Sequence, residues 1–181
     1  MLVVSTGTNG KPFDRLLRAV AGLAIDEELV VQHGPSTIRI RGAANVEYFS
    51  FVEYQQLVAA ADTVVTHAGV GSVLVALLAG KRPIVVPRLA CLGEAVDDHQ
   101  LEFGHRLAAA GSAVLVEADG DLGAAVVGAA GAGGAISFRS DRVELVRDLA
   151  AYLSATVGAR QPRATGEAGG AAAERLERVG G

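Results

Sequence analysis

At 181 residues, half of them hydrophobic, the chain is long enough for one domain with a buried core. A net charge of -4, no tryptophan and only 4% aromatic residues argue against a nucleic-acid binder, which needs a basic face or stacking rings. The single cysteine, Cys91, excludes an internal disulfide and suits a reducing compartment.

The first apolar run, residues 2–5, reads as a strand. It is closed by the polar glycine loop Thr6-Gly7-Thr8-Asn9-Gly10. Pro12 occupies a helix-start position, Asp14 falls in the first turn, and Phe13, Leu16, Leu17 and Val20 follow at helical spacing. Residues 28–32 form a second candidate strand, stopped by His33-Gly34-Pro35. Residues 38–41 and 46–51 are further strand candidates, and 54–61 reads as helix.

The clearest unit comes next. A β-branched strand at 63–66 leads through His67-Ala68-Gly69-Val70-Gly71 into a helix at 72–79, with Ser72 expected as its N-cap and Gly80 as its stop. A strand at 83–86 ends on Pro87, and the loop 88–96 enters a helix at 97–110. A strand at 113–116 and helices at 121–130 and 141–153 complete the ordered part, with a Gly-Ala stretch at 131–136 between the helices. Residues 155–181 are rich in Gly, Ala, Arg and Glu without apolar periodicity and read as a disordered tail. The domain is therefore expected to span 1–154.

Strands that alternate with helices and read as continuous apolar runs imply an α/β fold. The expected architecture is a Rossmann-like parallel sheet with helices on both faces. In such a sheet, ligands sit at the carboxyl ends of the strands. Two glycine loops fall at that edge, residues 5–10 and 67–72. Glycine lets the backbone approach a ligand closely, and the following helix start presents free amides that favour an anion such as diphosphate. Neither loop carries a known phosphate fingerprint: Lys11 is followed by Pro12, and the second loop lacks the three-glycine dinucleotide spacing. Each loop by itself reads equally as a tight turn between strand and helix.

The segment Leu92-Gly93-Glu94-Ala95-Val96-Asp97-Asp98-His99-Gln100 supplies further polar groups. Asp97 and Asp98 fit ordinary helix capping, whereas an imidazole and a carboxamide at 99 and 100 can hydrogen-bond sugar hydroxyls or a base edge. No pair or cluster has metal-ligand spacing, so neither a metal nor a cofactor is expected.

Several of these segments together are similar to the C-terminal, donor-binding domain of glycosyltransferase family 28, one half of a GT-B enzyme. They are Val4-Ser5-Thr6-Gly7-Thr8 with Phe13-Asp14-Arg15-Leu16, and Tyr48-Phe49-Ser50-Phe51. The strongest is Thr66-His67-Ala68-Gly69-Val70-Gly71-Ser72-Val73-Leu74, running on through Gly80-Lys81-Arg82-Pro83-Ile84-Val85-Val86-Pro87-Arg88; Leu92-Gly93-Glu94 and Asp97-Asp98-His99-Gln100-Leu101-Glu102 complete the set. The resemblance extends to the split-subunit, PssE-like exopolysaccharide and capsule members and to the C-terminal half of MurG.

The resemblance implies a UDP-sugar donor, inverting hexosyl transfer and a polyprenyl-diphosphate-linked acceptor. By position it assigns Gly7, Thr8, Gly69, Gly71 and Ser72 to the donor diphosphate, and His99 and Gln100 to the sugar. His67, inside the donor loop, reads as a donor contact or a satisfied ring rather than as the base. The catalytic base is expected from a membrane-anchored acceptor-binding subunit that also holds the lipid-linked sugar. Such a chain would be cytoplasmic, reaching the inner face of the membrane through that partner. The family commonly has Glu where this chain has Val75, which favours a rival reading as a non-catalytic regulatory or scaffold subunit.

Overall fold

In a computed structural model, which describes residues 1–131, side chains of the first strand alternate between two cores. Leu2 and Val4 enter one hydrophobic cluster and Val3 enters another. Successive strand residues point to opposite faces, so a strand buried throughout must be covered on both sides. The elements that do this follow in order. They are β1 (Leu2–Ser5), α1 (Asp14–Ala21), β2 (Leu29–Gln32), β3 (Ala44–Val46), α2 (Phe51–Ala60), β4 (Thr63–His67), α3 (Val70–Leu78), β5 (Ile84–Val86), α4 (His99–Ala109), β6 (Val114–Leu115) and α5 (Leu122–Gly131). A short 3-10 turn, Ala90–Leu92, lies between β5 and α4.

The six strands form one sheet in the order β3-β2-β1-β4-β5-β6, and every pairing is parallel. This is the expected Rossmann-like sheet. Leu16, Leu17 and Val20 of α1 and Leu122 of α5 pack on the face formed by Leu2, Val4, Val31, Val65 and Ile84. Tyr54 and Val58 of α2, with Val75 and Ala76 of α3, cover the face of Val3, Val30 and Val64. The chain order reverses direction between β1 and β4, so the loops leaving these two strands diverge and open a crevice there.

Some local expectations are corrected. Residues 38–41 form no strand: the Asn45 carboxamide accepts from Ile40 N at 2.8 Å and donates to Ile40 O at 2.9 Å, taking the place of a strand partner. The strand expected at 46–51 ends at Val46. Ser50 then caps α2: its side chain accepts from Glu53 N, and Glu53 returns a bond from Ser50 N at 2.8 Å. That reciprocal box starts the helix at Phe51 rather than at Tyr54. Pro12 lies two residues before α1, because the Arg88 guanidinium takes up the Lys11 and Pro12 carbonyls and keeps them out of the helical ladder.

At α3, Gly69 and not Ser72 is the N-cap. Its extended backbone (φ -87°, ψ 131°) lets the helix begin at Val70, so Ser72 becomes the third helical residue. Helix α4 begins at His99 with Asp98 as an N-cap whose side chain makes no capping bond. Asp98 Oδ1 accepts instead from Ala90 N in the preceding loop, at 2.9 Å. The Gly-Ala stretch beyond Gly131, the helix expected at 141–153, the domain limit at 154 and the tail at 155–181 lie outside the described residues. Among the described residues no helix is long and apolar enough to cross a membrane.

Candidate functional site

The polar ends of β1, β2 and β4 meet at the carboxyl edge of the sheet, and each end is built differently. Gln32 closes the apolar strand Leu29-Val30-Val31 and is 3% exposed. Its carboxamide donates to Gly7 O at 3.0 Å and accepts from Ser5 Oγ at 3.1 Å. Ser5 Oγ in turn accepts from Gly7 N at 3.2 Å. Both backbone groups of Gly7 are thereby fixed, which holds its backbone at φ +77°, a conformation that glycine adopts without steric cost.

His67 closes β4, and its ring lies between the two glycine loops. A Cβ at Gly7 would come within 2.3 Å of His67 Cε1, and a Cβ at Gly69 within 2.0 Å of His67 Nε2. The imidazole therefore occupies space that only glycine leaves free. Burial, with the Arg88 cation as a second cause, lowers the His67 pKa to about 4. The ring is neutral at pH 7.

A histidine whose folded pKa lies below its unfolded value stabilises the fold fully above the unfolded pKa. That contribution is lost as pH falls from about 6.5 toward 4, where the unfolded chain binds the proton first. It amounts to at most about 3 kcal/mol, since the edge of the ring still meets the cavity. Chemical denaturation at pH 7 and pH 4.5 should therefore show a larger loss in the wild type than in His67→Asn. Equal losses in the two proteins would show that the ring is not held neutral by its surroundings.

These ends form the floor of a cavity of about 310 Å³. Gly7 and Thr8 line it from the β1 loop, His67, Gly69, Gly71 and Ser72 from the β4 loop and the first turn of α3. Phe49, Ser50, Phe51 and Tyr54 supply the wall from the chain that enters α2, and Val75 adds an apolar patch. Among the described residues no lining side chain is charged at pH 7, so an anion here would meet backbone amides, hydroxyls and the partial positive charge of the α3 N-terminus. Such a site offers pre-aligned neutral donors to a diphosphate. Among the described residues no three His, Cys, Asp or Glu side chains gather in a way that would hold a metal ion.

The cavity thus brings together six of the residues singled out in the sequence: Gly7, Thr8, His67, Gly69, Gly71 and Ser72. His99 and Gln100 do not line it. They stand at the start of α4, on the same sheet edge, where Gln100 Oε1 accepts from Arg88 N at 3.1 Å. His99 Nδ1 pairs with Asp97 Oδ1 at 2.9 Å.

The chain belongs to glycosyltransferase family 28. The family's C-terminal domain matches residues 1–119. Sheet order and cavity position fit that assignment to a donor-binding domain. No curated protein matches the chain. Among solved structures, the domain is similar to CalG4, the calicheamicin glycosyltransferase, with 20% identity and a TM-score of 0.56 over 89% of this chain and 43% of that one. It is similar also to SnogD from Streptomyces nogalater (21%, 0.52, 87% and 43%) and to the glycosyltransferase of kitacinnamycin (19%, 0.51, 90% and 44%). These likenesses establish the GT-B half-fold, and the chain spans less than half the length of each of the three.

Three residues of this donor-binding domain escaped the sequence reading as parts of the site. Gln32 and Arg88 each follow an apolar strand, Arg88 after Pro87, and a polar side chain at that place is the signal that would have found them. Arg88 is 0% exposed and binds both ends of the first glycine loop. Its Nη2 donates to Thr6 O at 2.9 Å and its Nη1 to Lys11 O at 3.0 Å. Its guanidinium also stacks 4.6 Å from the Phe13 ring centre. The third is Tyr54, whose hydroxyl is buried behind the cavity wall; its only sequence trace is a polar tip at a helical core position.

Proposed function

We propose that this domain is the donor-binding, catalytic half of a split inverting glycosyltransferase. It moves a sugar from a UDP-sugar to a polyprenyl-diphosphate-linked acceptor in surface-polysaccharide synthesis. The observation that carries the reading is the convergence of both glycine loops on one uncharged cavity at the α3 N-terminus. Amides of the Gly7-Thr8 and Gly69-Gly71 segments, with the Ser72 hydroxyl, stabilise the leaving UDP as it departs. His99 and Gln100 face the sugar from the start of α4.

Transfer needs a base within hydrogen-bond reach of the acceptor hydroxyl. Among the described residues no carboxylate lines the cavity, and His67, with a pKa of about 4, is a poor proton acceptor near neutrality. In this reading the base and the acceptor are supplied from outside this domain, by a membrane-anchored acceptor-binding subunit.

Calorimetric titration of the chain with UDP, with GDP and ADP as controls, tests the donor half. UDP should bind selectively. Ser72→Ala should weaken it by about tenfold or more, the value of a hydrogen bond to a charged group. Gly71→Val should abolish it without unfolding the chain, because a Cβ at Gly71 meets nothing within 4 Å among the described residues outside its own helix. UDP affinity unchanged in both variants would overturn the diphosphate assignment. The rival, a non-catalytic subunit that retains the fold, is favoured by the apolar Val75 in the cavity wall. It predicts UDP binding without sugar transfer when the acceptor half is present.

A further inference from the structure

Tyr54 is 8% exposed and packs among Val3, Val58, Val64, Val75 and Ala76. A phenylalanine would fill that position equally well. The tyrosine hydroxyl, however, has no hydrogen-bond partner among the described residues. A buried donor without an acceptor destabilises the fold, so packing does not account for the oxygen. The hydroxyls of Thr66, Ser72 and Ser5 are near enough to oppose the upward pull of burial on its pKa, though none meets hydrogen-bond geometry.

These three hydroxyls are not equivalent. Ser5 Oγ is committed, donating to Gln32 Oε1 and accepting from Gly7 N. Thr66 is 0% exposed, does not line the cavity, and has its Oγ1 3.4 Å from His67 Nδ1. Ser72 lines the cavity in the first turn of α3, and its hydroxyl makes no hydrogen bond to any described residue.

Resting on the reading of the cavity as a donor site, we propose that Tyr54 is a positioning residue that acts through Ser72. The phenol O–H donates to Ser72 Oγ, and this leaves the Ser72 O–H to point into the cavity and donate to a phosphate oxygen of the nucleoside diphosphate. A hydroxyl that accepts one hydrogen bond while donating another is polarised into a stronger donor. The buried phenol thereby gains its partner when the ligand binds.

The test is a double-mutant cycle on the full chain, with Tyr54→Phe, Ser72→Ala and the pair, titrated with UDP and with inorganic pyrophosphate. Tyr54→Phe should weaken both probes about five- to tenfold, and its thermal midpoint should equal or exceed that of the wild type. In the Ser72→Ala background the same substitution should change affinity by less than twofold. Equal losses in both backgrounds, an effect on UDP but not on pyrophosphate, or a lowered midpoint would overturn the proposal. If Ser72→Ala weakens binding and Tyr54→Phe does not, only the positioning role fails. If the wild type binds neither probe, or Ser72→Ala leaves both affinities unchanged, the donor-site reading fails with it.

Discussion

Arg88→Ala lowers the unfolding free energy by about 3–5 kcal/mol, the range for stripping one partner from a buried charged network. The side chain is fully buried; its Nη1 and Nη2 donate to the carbonyls of Thr6, Lys11, Pro12 and Glu94, while its Nε–H has no partner among the described residues. Glu94 itself is held by two bonds from Arg15, at 3.0 and 2.9 Å, and one from Leu89 N. Removal of the guanidinium leaves four carbonyls short of a donor and a void beside the Phe13 ring. Arg88→Lys should recover little, because one ammonium cannot reach carbonyls on both sides of a planar fork. Urea unfolding at pH 7 measures both variants. A loss below 1 kcal/mol for Arg88→Ala would mean that the first glycine loop is anchored by other contacts. UDP affinity should fall alongside stability, since the same carbonyls border the Gly7-Thr8 turn.

The second large effect concerns the two glycines that flank His67. Gly69 has a backbone any residue can adopt, so the cost of Gly69→Ala is purely the collision of its methyl with the imidazole. Overpacking of this kind costs about 1–3 kcal/mol. Adding His67→Ala vacates that space, so the double variant should be more stable than the sum of the two single losses predicts. Gly7→Ala meets the same ring but also sits at φ +77°. That conformation adds about 1–2 kcal/mol which His67→Ala cannot return. Stability measured across both double-mutant cycles separates collision from backbone strain. Complete rescue of Gly7→Ala by His67→Ala would show that Gly7 is kept for space alone.

Much of the candidate site was legible from local sequence. Gly7, Gly69 and Gly71 interrupt apolar runs at strand-to-helix junctions, a pattern that depends only on near neighbours. The Ser50-Phe51-Val52-Glu53 capping box was equally local, and reading it would have placed the start of α2 correctly. Residues 38–41 misled for the opposite reason. Ile38 and Ile40 are buried or half-buried, yet the backbone of Ile40 finds its partner in the side chain of Asn45 rather than in a neighbouring strand.

By itself the sequence determined the alternation of strands and helices, the parallel sheet and the two glycine loops at its edge. Those features follow from hydrophobic periodicity and from turn chemistry within a few residues. Tertiary structure alone decided that the two loops share one cavity, because their convergence depends on β1 and β4 being neighbours at the point where strand order reverses. It also decided that the His67 ring fills the space left by two glycines 62 residues apart in sequence, Gly7 and Gly69. Arg88 ties down a loop 77 to 82 residues before it, and the Tyr54 oxygen is buried without a partner among the described residues. Contacts across such separations depend on how the elements stack, and no pattern within one helix or strand encodes them.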